Sequence, residues 1–198
     1  VVFESAESSF ISAVYDSTNQ KVVISYRDHG NSNYGTVITG TVSGTSISFG
    51  SSFIFNPGTS WYTSTAYDST NQKVVIAYQD VSNSSYGTAV VFGNTGFPLP
   101  SLGSPTVHAN GDSSGDIAYD PSNNKMVIAY SDGENSSYGT AVVGTVSGTS
   151  ISFGTPVVFE SATAGSIAIT YTTSGKVVIA YKDDGNSGRG TAVVGTVS

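Results

Sequence analysis

The chain of 198 residues contains no cysteine. A disulfide framework, a thiolate metal site and a cysteine nucleophile are therefore excluded. Charge is scarce as well, because only 11% of the residues are charged and the net charge is -7. The 7 lysines and arginines are dispersed along the sequence, whereas phosphate binding needs a basic patch. We expect no nucleic-acid partner.

Long apolar runs are also missing. No stretch approaches the roughly 20 residues that a membrane-spanning helix needs, so no membrane span is expected. Apolar residues of helical period never extend beyond one turn, whereas the strand formers Val, Ile, Thr and Tyr are abundant. A surface rich in Ser, Thr, Gly and Asn predicts an extracellular or virion-associated protein. Residue 1 is Val, which leaves a removed signal peptide open.

One pattern recurs along the whole chain at a step of 52 residues. It is marked by Tyr15, Tyr67, Tyr119 and Tyr171. Such a period indicates an array whose repeats cannot bury their apolar faces without a neighbour. The sequence predicts a single repeat domain over 1–198, with repeats at approximately 1–52, 53–104, 105–156 and 157–198.

Each repeat predicts four strands separated by turn residues. In the first repeat they are Ile11–Tyr15, Lys21–Tyr26, Gly35–Val42 and Ile47–Phe55. The second strand is apolar on both faces, which is typical of a strand buried from two sides. A four-stranded antiparallel sheet stacked between copies of itself meets that requirement. In these features the whole chain resembles the β-propeller superfamily, which implies an all-β fold with four four-stranded blades.

Two ways of completing the ring are open. The last repeat lacks the first half of its fourth strand, and Val1–Ser5 repeats the sequence Val157–Ser161, the second half of that strand in repeat three. Either the N-terminal segment closes a four-bladed ring, or the chain joins a second chain or belongs to a longer array. We therefore expect self-association as one partner interaction.

The most regular polar feature is the turn after each second strand. It carries an Asp, an Asn three residues later and, in three repeats, a Tyr after that. The residues are Asp28, Asn31, Tyr34, Asp80, Asn83, Tyr86, Asp132, Asn135, Tyr138, Asp183 and Asn186. The oxygen atoms of these side chains are predicted to bind sugar hydroxyls or to coordinate Ca²⁺. Alternatively, Asp and Asn bond the backbone of their own turn. No metal or other cofactor is expected, with Ca²⁺ as the alternative.

The stretch Lys182–Ser187 resembles the Asp-box that caps blade hairpins in sialidase-like propellers. That family grips a substrate carboxylate with three arginines, whereas this chain has two, Arg27 and Arg189. His29 and His108 do not recur in the repeat and lack the spacing of a metal site or a Ser-based triad. Because catalysis needs an asymmetric constellation, we expect no enzymatic activity.

Trp61 departs most strongly from the repeat. It is the only Trp and stands where the other repeats have Ser9, Ser113 and Gly165. The predicted topology places it at the same end as the Asp turns. An aromatic face beside hydroxyl and amide groups suits the apolar face of a sugar, which predicts a lectin-like module with a glycan ligand. Alternatively, Trp61 fills a gap between sheets, and the protein is a scaffold of an extracellular or virion assembly.

A second departure covers Phe92 to Asn110. Pro98 and Pro100 cannot donate to a strand ladder, so the outer strand is predicted to break there. The break is expected to expose Phe97 and Leu99. These two residues either contact another chain or are neutral sequence changes at a solvent-exposed edge.

Overall fold

The fold consists of antiparallel β-strands joined by short turns. The computed structural model describes residues 1–93, 101–111 and 115–197. The strands are β1 (Ser8–Asp16), β2 (Lys21–Asp28), β3 (Tyr34–Ser43), β4 (Ser46–Asp68), β5 (Lys73–Asp80), β6 (Tyr86–Gly93), β7 (Ser101–Leu102), β8 (Thr106–Ala109), β9 (Gly115–Asp120), β10 (Lys125–Asp132), β11 (Tyr138–Ser147), β12 (Ser150–Phe153), β13 (Val157–Thr172), β14 (Lys176–Asp183) and β15 (Arg189–Thr196). The all-β prediction is confirmed. Over the described ranges, no helix has the length and apolarity to cross a membrane.

The strands pair in chain order and form four modules. Module 1 (8–56) holds β1, β2, β3 and the first half of β4, and module 2 (60–93 and 101–109) holds the second half of β4 with β5 to β8. Module 3 (115–160) holds β9 to β12 and the first half of β13, and module 4 (164–196) holds the rest of β13 with β14 and β15. The antiparallel pairing predicted for each repeat is confirmed.

The structure differs from the sequence prediction at the link between repeats. The turn-forming sequence Asn56-Pro57-Gly58 predicts a connection over residues 56 to 62, but β4 continues through them as one extended strand. The chain can stay extended because Asn56 still opposes Gly35 in module 1 while Ser60 already opposes Asp80 in module 2. One strand therefore ends one sheet and begins the next.

Three apolar cores lie between consecutive modules. Between modules 1 and 2, Val23 and Val37 pack against Val74 and Ile76. Between modules 2 and 3 the core contains Val75, Val91, Met126 and Ile128, and between modules 3 and 4 it contains Val127, Ala129, Val177 and Ile179. The apolar run on β5 is buried on both faces, as its sequence predicts.

The first strands of the four modules stand side by side. We refer to these segments, 8–16, 60–68, 115–120 and 164–172, as the inner strands. Polar side chains join them in order: the Ser12 Oγ accepts from the Thr65 N–H at 3.0 Å, the Ser64 Oγ donates to Asp116, and the Ile169 N–H donates to the Asp116 Oδ2 at 3.0 Å. These bonds join the four inner strands in chain order.

The tyrosines that mark the repeat link neighbouring modules at the other end of the inner strands. The Tyr67 hydroxyl donates to the Thr18 Oγ1 at 2.6 Å, and the Tyr119 hydroxyl donates to the Thr70 Oγ1 at 2.6 Å. Each bond joins a module to the first hairpin of the module before it. The same contact between neighbouring modules therefore recurs with the period of 52 residues.

Two module faces are not covered by another module. In module 4, Ala180, Ala192 and Val194 are exposed, with Val194 exposed by 63%. In module 1, Ile11 and Tyr15 of the inner strand are exposed. The array is thus open between modules 4 and 1. Val1 and Val2 are also exposed and unpaired, so the structure does not join the N-terminal segment to β15. Phe97 and Leu99 lie outside the described residues.

Candidate functional site

Each inner strand for which the position is described carries a β-bulge with an unusual backbone. Phe10, Tyr62 and Ser166, which are equivalent in the repeat, have φ angles of 50°, 51° and 48°. The strand register shifts around each of them. A left-handed backbone at an aromatic residue is costly and is found mostly where a site requires it. Bulges also change the direction in which side chains point, so the side chains of these three residues mark a candidate site between the inner strands.

The bulges line a cavity between the inner strands, which we call the axial cavity. It has a volume of about 460 Å³. All four modules contribute to its wall, through Phe10–Ile11, Tyr62–Thr63, Gly115 and Ser166–Ile167. Cavities that hold small molecules in proteins range from roughly 300 to 1,000 Å³. The axial cavity is therefore large enough for a small ligand.

Three aromatic rings form a cluster on one side of the axial cavity. The ring centroids of Phe10 and Tyr62 lie 5.0 Å apart, and that of Trp61 lies 6.4 Å from Phe10 and 6.2 Å from Tyr62. Tyr62 is 42% exposed, and Trp61 and Phe10 are half-buried. The cluster offers an accessible ring where modules 1 and 2 meet.

Charged and polar groups adjoin this aromatic cluster. The Arg27 guanidinium lies 4.9 Å from the centroid of the Phe10 ring, a cation–π arrangement. Arg27 Nη2 lies 3.0 Å from the His29 Nε2, and the Ser9 hydroxyl lies 2.9 Å from the same atom. A guanidinium can only donate, so the His29 Nε2 acts as the acceptor in this contact. The site thus combines ring faces with hydrogen-bond donors.

Trp61 contributes a further polar group. Its indole Nε1 is buried and makes no hydrogen bond to the described part of the protein. Buried donors nearly always have a partner, and exceptions call for an explanation such as a functional role. The unpaired N–H is consistent with a site that is completed from outside the chain.

Neither a protein-family model nor a curated protein matches the chain.

The Asp turns use most of their carboxylates to hold their own backbone. The Asp28 Oδ1 accepts from the Asn31 N–H at 3.1 Å, and the Asp183 Oδ1 accepts from the Asn186 N–H at 3.0 Å. Asp80 accepts from the Ser82 N–H at 3.1 Å. The Asp132 side chain makes no such bond. The backbone role that the sequence left open is present in three of the four turns.

The Asp turns lie at the same end as the links between modules. The Asn33 carbonyl accepts from the Ser60 N–H at 3.2 Å, and the Ser137 carbonyl accepts from the Ala164 N–H at 3.0 Å. The turn of module 2 bonds the same link as the turn of module 1, because the Thr59 carbonyl accepts from the Val81 N–H at 3.0 Å. No hydrogen bond described in the structure joins two of the turns directly. Three of the predicted asparagines are exposed and the tyrosines are half-buried: Asn83, Asn135, Asn186, Tyr34, Tyr86 and Tyr138. Asn31 is half-buried. Ligand binding at the Asp turns stays a prediction.

Metal binding is likewise untested. In the described ranges, no three His, Asp or Glu side chains converge closely enough to hold a metal ion. The Ca²⁺ alternative stays a prediction.

Two glutamates at repeat-equivalent positions bind tyrosines. The Tyr181 hydroxyl donates to the Glu160 Oε2 at 2.9 Å, and the Tyr26 hydroxyl donates to the Glu4 Oε2 at 3.3 Å. Burial, together with the bond to Glu160, raises the pKa of Tyr181 to about 12. The Ala6 N–H, by donating to the carboxylate, lowers the pKa of Glu4. Glu160 thus anchors the outer segment of module 3 to module 4, and Glu4 anchors the N-terminal segment to module 1.

Sequence reasoning identified Trp61 but missed its neighbours. Phe10, Tyr62 and Arg27 were not among the predicted site residues. One signal was present, because the position of Phe10 and Tyr62 holds Ser in the other two repeats. That contrast could have indicated a site-specific pair of aromatic residues, but only the bulge shows that they face the axial cavity.

Proposed function

We propose that this protein is a non-enzymatic, lectin-like recognition module that binds a glycan at the axial cavity. The observation that carries the proposal is the aromatic cluster of Phe10, Trp61 and Tyr62 beside Arg27 and His29. Ring faces take the C–H side of a sugar, while fixed donors bind its hydroxyls. The Phe10 and Tyr62 rings line the axial cavity, and the Arg27 guanidinium lies 4.9 Å from the centroid of the Phe10 ring.

The aromatic cluster yields the first prediction. Replacing Trp61 or Tyr62 with Ser, the residue that other repeats carry at those positions, removes a ring face but keeps a side chain that the repeat tolerates. We expect each change to weaken glycan binding at least about tenfold, which corresponds to about 1.4 kcal/mol. A glycan array identifies the ligand, and titration calorimetry then measures the dissociation constant.

The control for this experiment is Asn83→Ala. Asn83 is exposed in an Asp turn and is expected to leave the affinity unchanged. A loss of binding in Asn83→Ala, with Trp61→Ser unaffected, would move the site to the Asp turns. The absence of binding to any sugar at high protein concentration would remove the proposal.

We further propose that the four modules are blades of a β-propeller. Support comes from the face-to-face stacking of the sheets and from the inner strands that line one central cavity. Both are features of propellers, whose blades are four-stranded sheets around a channel. The proposed location is extracellular or on a virion.

A scaffold role is the second candidate, and the uncovered face of module 4 favours it. Val91 of module 2 is fully buried against module 3, whereas its counterpart Val194 in module 4 is 63% exposed. A face of this kind is normally covered in an array, because each repeat needs a neighbour. We propose that a second copy of the chain covers it.

If the chain associates with a second copy, the particle in solution has at least twice the mass of one chain. Val194→Lys places a charge on the face that the second copy would bury, so we expect it to convert a dimer or larger species into a monomer. Analytical ultracentrifugation measures the mass. The matched control is Asn186→Lys, which adds the same charge at an exposed turn of module 4 and should leave the mass unchanged. A wild-type monomer at high concentration would contradict association.

A further inference from the structure

Two segments that pair with each other in module 3 recur elsewhere in the chain, each without the other. In module 3, Val157–Ala162 runs along β11 and pairs with it. The N-terminal segment Val1–Ala6 has the same sequence as Val157–Ala162, residue for residue. Likewise, Gly190–Val197 of β15 and its flank repeats Gly139–Val146 of β11. Among the described strands β15 pairs with β14 alone, so one edge of β15 is open.

The N-terminal segment already lies on module 1 as a link between modules would. Phe3 stacks on Tyr26 with ring centroids 5.1 Å apart, and the equivalent rings where modules 3 and 4 meet are 5.2 Å apart. The Tyr26 hydroxyl donates to Glu4, and the equivalent bond is present at that junction. The Glu7 carbonyl accepts from the His29 N–H at 3.1 Å, and the equivalent bond between modules 1 and 2 measures 3.0 Å. The segment therefore has the course of a link that arrives from a preceding module.

The N-terminal segment and β15 depart from the repeat at one pair of opposing positions. Where module 3 meets the link that follows it, Tyr138 opposes Thr163, and module 1 has the same pair of residue types. The counterpart of Tyr138 in module 4 is Arg189, and the counterpart of Thr163 in the N-terminal segment is Glu7. An uncharged pair would thus become a pair of opposite charge wherever β15 meets the N-terminal segment.

Both charged side chains are accessible. The Glu7 side chain is 80% exposed, and its Oε1 lies 4.0 Å from the His29 Nε2. Arg189 is exposed, and its Nη1 donates to the Asn186 Oδ1 at 3.1 Å. A guanidinium has further N–H groups, and two of them can bind one carboxylate side by side. Arg189 can therefore accept Glu7 as a partner.

We propose that copies of this chain associate head to tail, with the N-terminal segment of one copy added to β15 of the next as a further strand. The register is that of module 3, so the opposing pairs are Val1 with Ala192, Val2 with Thr191, Glu4 with Gly190 and Glu7 with Arg189. The proposal rests on the second copy invoked above and names the strand through which that copy binds. Main-chain bonds supply the affinity, and the charge pair fixes the register. Because unlike surfaces meet, the copies close into a ring or continue as a filament.

Two charge reversals test the contact between Glu7 and Arg189. Glu7→Arg and Arg189→Glu each place like charges at the junction, so we expect each variant alone to raise the dissociation constant of self-association at least about tenfold. A mixture of the two variants has opposite charges at every junction between unlike copies. We expect the affinity of the mixture to return to near the wild-type value, as measured by analytical ultracentrifugation.

The matched control for the reversals is Glu134→Arg. It makes the same change of charge as Glu7→Arg, but at an exposed turn of module 3, and should leave the association unchanged. A mixture that associates as weakly as its two components would overturn pairing between copies. Single variants that associate like the wild type would overturn the pairing but leave the association itself standing, whereas a wild-type monomer removes both.

An engineered disulfide tests the register, since the chain has no cysteine of its own. Directly opposed residues of antiparallel strands lie within reach of a disulfide. We expect oxidised Val2→Cys/Thr191→Cys to form covalent dimers or larger species on a non-reducing gel. The control is Thr140→Cys/Val158→Cys, the same pair within module 3, which should form a disulfide inside one chain. For Val2→Cys/Thr191→Cys, a disulfide inside one chain, or none, would overturn the proposal.

Discussion

Replacing His108 with Phe is expected to remove a large part of the protein's sensitivity to acid. His108 is buried and stacks edge-on against Tyr130 with centroids 5.2 Å apart. At the three equivalent places, Phe stacks on Tyr at nearly the same separation: Phe3 on Tyr26, Phe55 on Tyr78 and Phe159 on Tyr181. The change therefore installs a ring that the other repeats already accommodate.

The direction of the effect follows from the pKa of His108. Burial lowers it from 6.5 to about 3 in the folded protein. Above pH 6.5 the ring is neutral in both states and has no effect on the pH dependence. As the pH falls from 6.5 toward 3, the unfolded chain takes up a proton that the folded protein does not, so stability is lost. Between pH 7 and pH 4 this loss is about 3 kcal/mol.

Urea unfolding at a series of pH values checks this prediction. The difference in unfolding free energy between His108→Phe and the wild type should change across the interval from pH 6.5 to 4, in favour of the variant. Val107→Ala, next to His108 but without a titrating group, serves as the control and should give a difference that does not vary with pH. A flat difference for His108→Phe would show that the histidine ring is protonated in the folded state.

Asp120→Ala is expected to cause the second large effect, a loss of about 2–4 kcal/mol in unfolding free energy. Asp120 is fully buried in the first hairpin of module 3. Its Oδ1 accepts from the N–H groups of Ser122 and Asn123 at 2.9 and 3.2 Å, and its Oδ2 accepts from the Asn123 Nδ2 at 2.8 Å. Alanine leaves the two backbone N–H groups without this acceptor, and the Asn123 Nδ2 keeps only its bond to the Val197 carbonyl at 3.2 Å. Chemical unfolding in urea gives the free energy.

Two variants calibrate that loss. Asp120→Asn keeps one acceptor oxygen and should cost less than Asp120→Ala. In module 4 the same position is Thr172, whose hydroxyl accepts from the Lys176 N–H at 3.3 Å and donates to the Lys176 carbonyl at 3.1 Å. Thr172→Ala should therefore cost only about 1 kcal/mol. A loss below about 0.5 kcal/mol in Asp120→Ala would mean that the hairpin holds without its carboxylate.

The all-β fold could be predicted because the same strand-forming pattern occurs in all four repeats. The run Val74–Ala77 shows why, since a strand apolar on both faces needs a sheet on each side, and β5 has one. The continuity of β4 could not be predicted in the same way. Asn56, Pro57 and Gly58 are turn residues by composition, yet they lie within β4, which pairs with one sheet at Asn56 and with the next at Ser60.

The candidate site was only partly predictable. Trp61 stands out as a departure from the repeat, and the structure places it beside Phe10 and Tyr62. The direction of those two rings depends on a left-handed φ angle, and the residue types give no sign of it because Phe and Tyr rarely adopt that conformation. The Asp turns stand out in the sequence because they recur in every repeat. They recur because every module needs the same turn.

At the bulge, the backbone conformation stays the same from module to module while the side chain varies. Where the bulge is described, its left-handed position carries Phe10, Tyr62 and Ser166 at φ angles of 50°, 51° and 48°, so an aromatic ring and a hydroxyl both occur on the same backbone. Gene duplication followed by single substitutions at this one position would alter the lining of the axial cavity without disturbing the sheets. A small library that varies only these residues would therefore be a combinatorial route to new binding specificities on a constant scaffold.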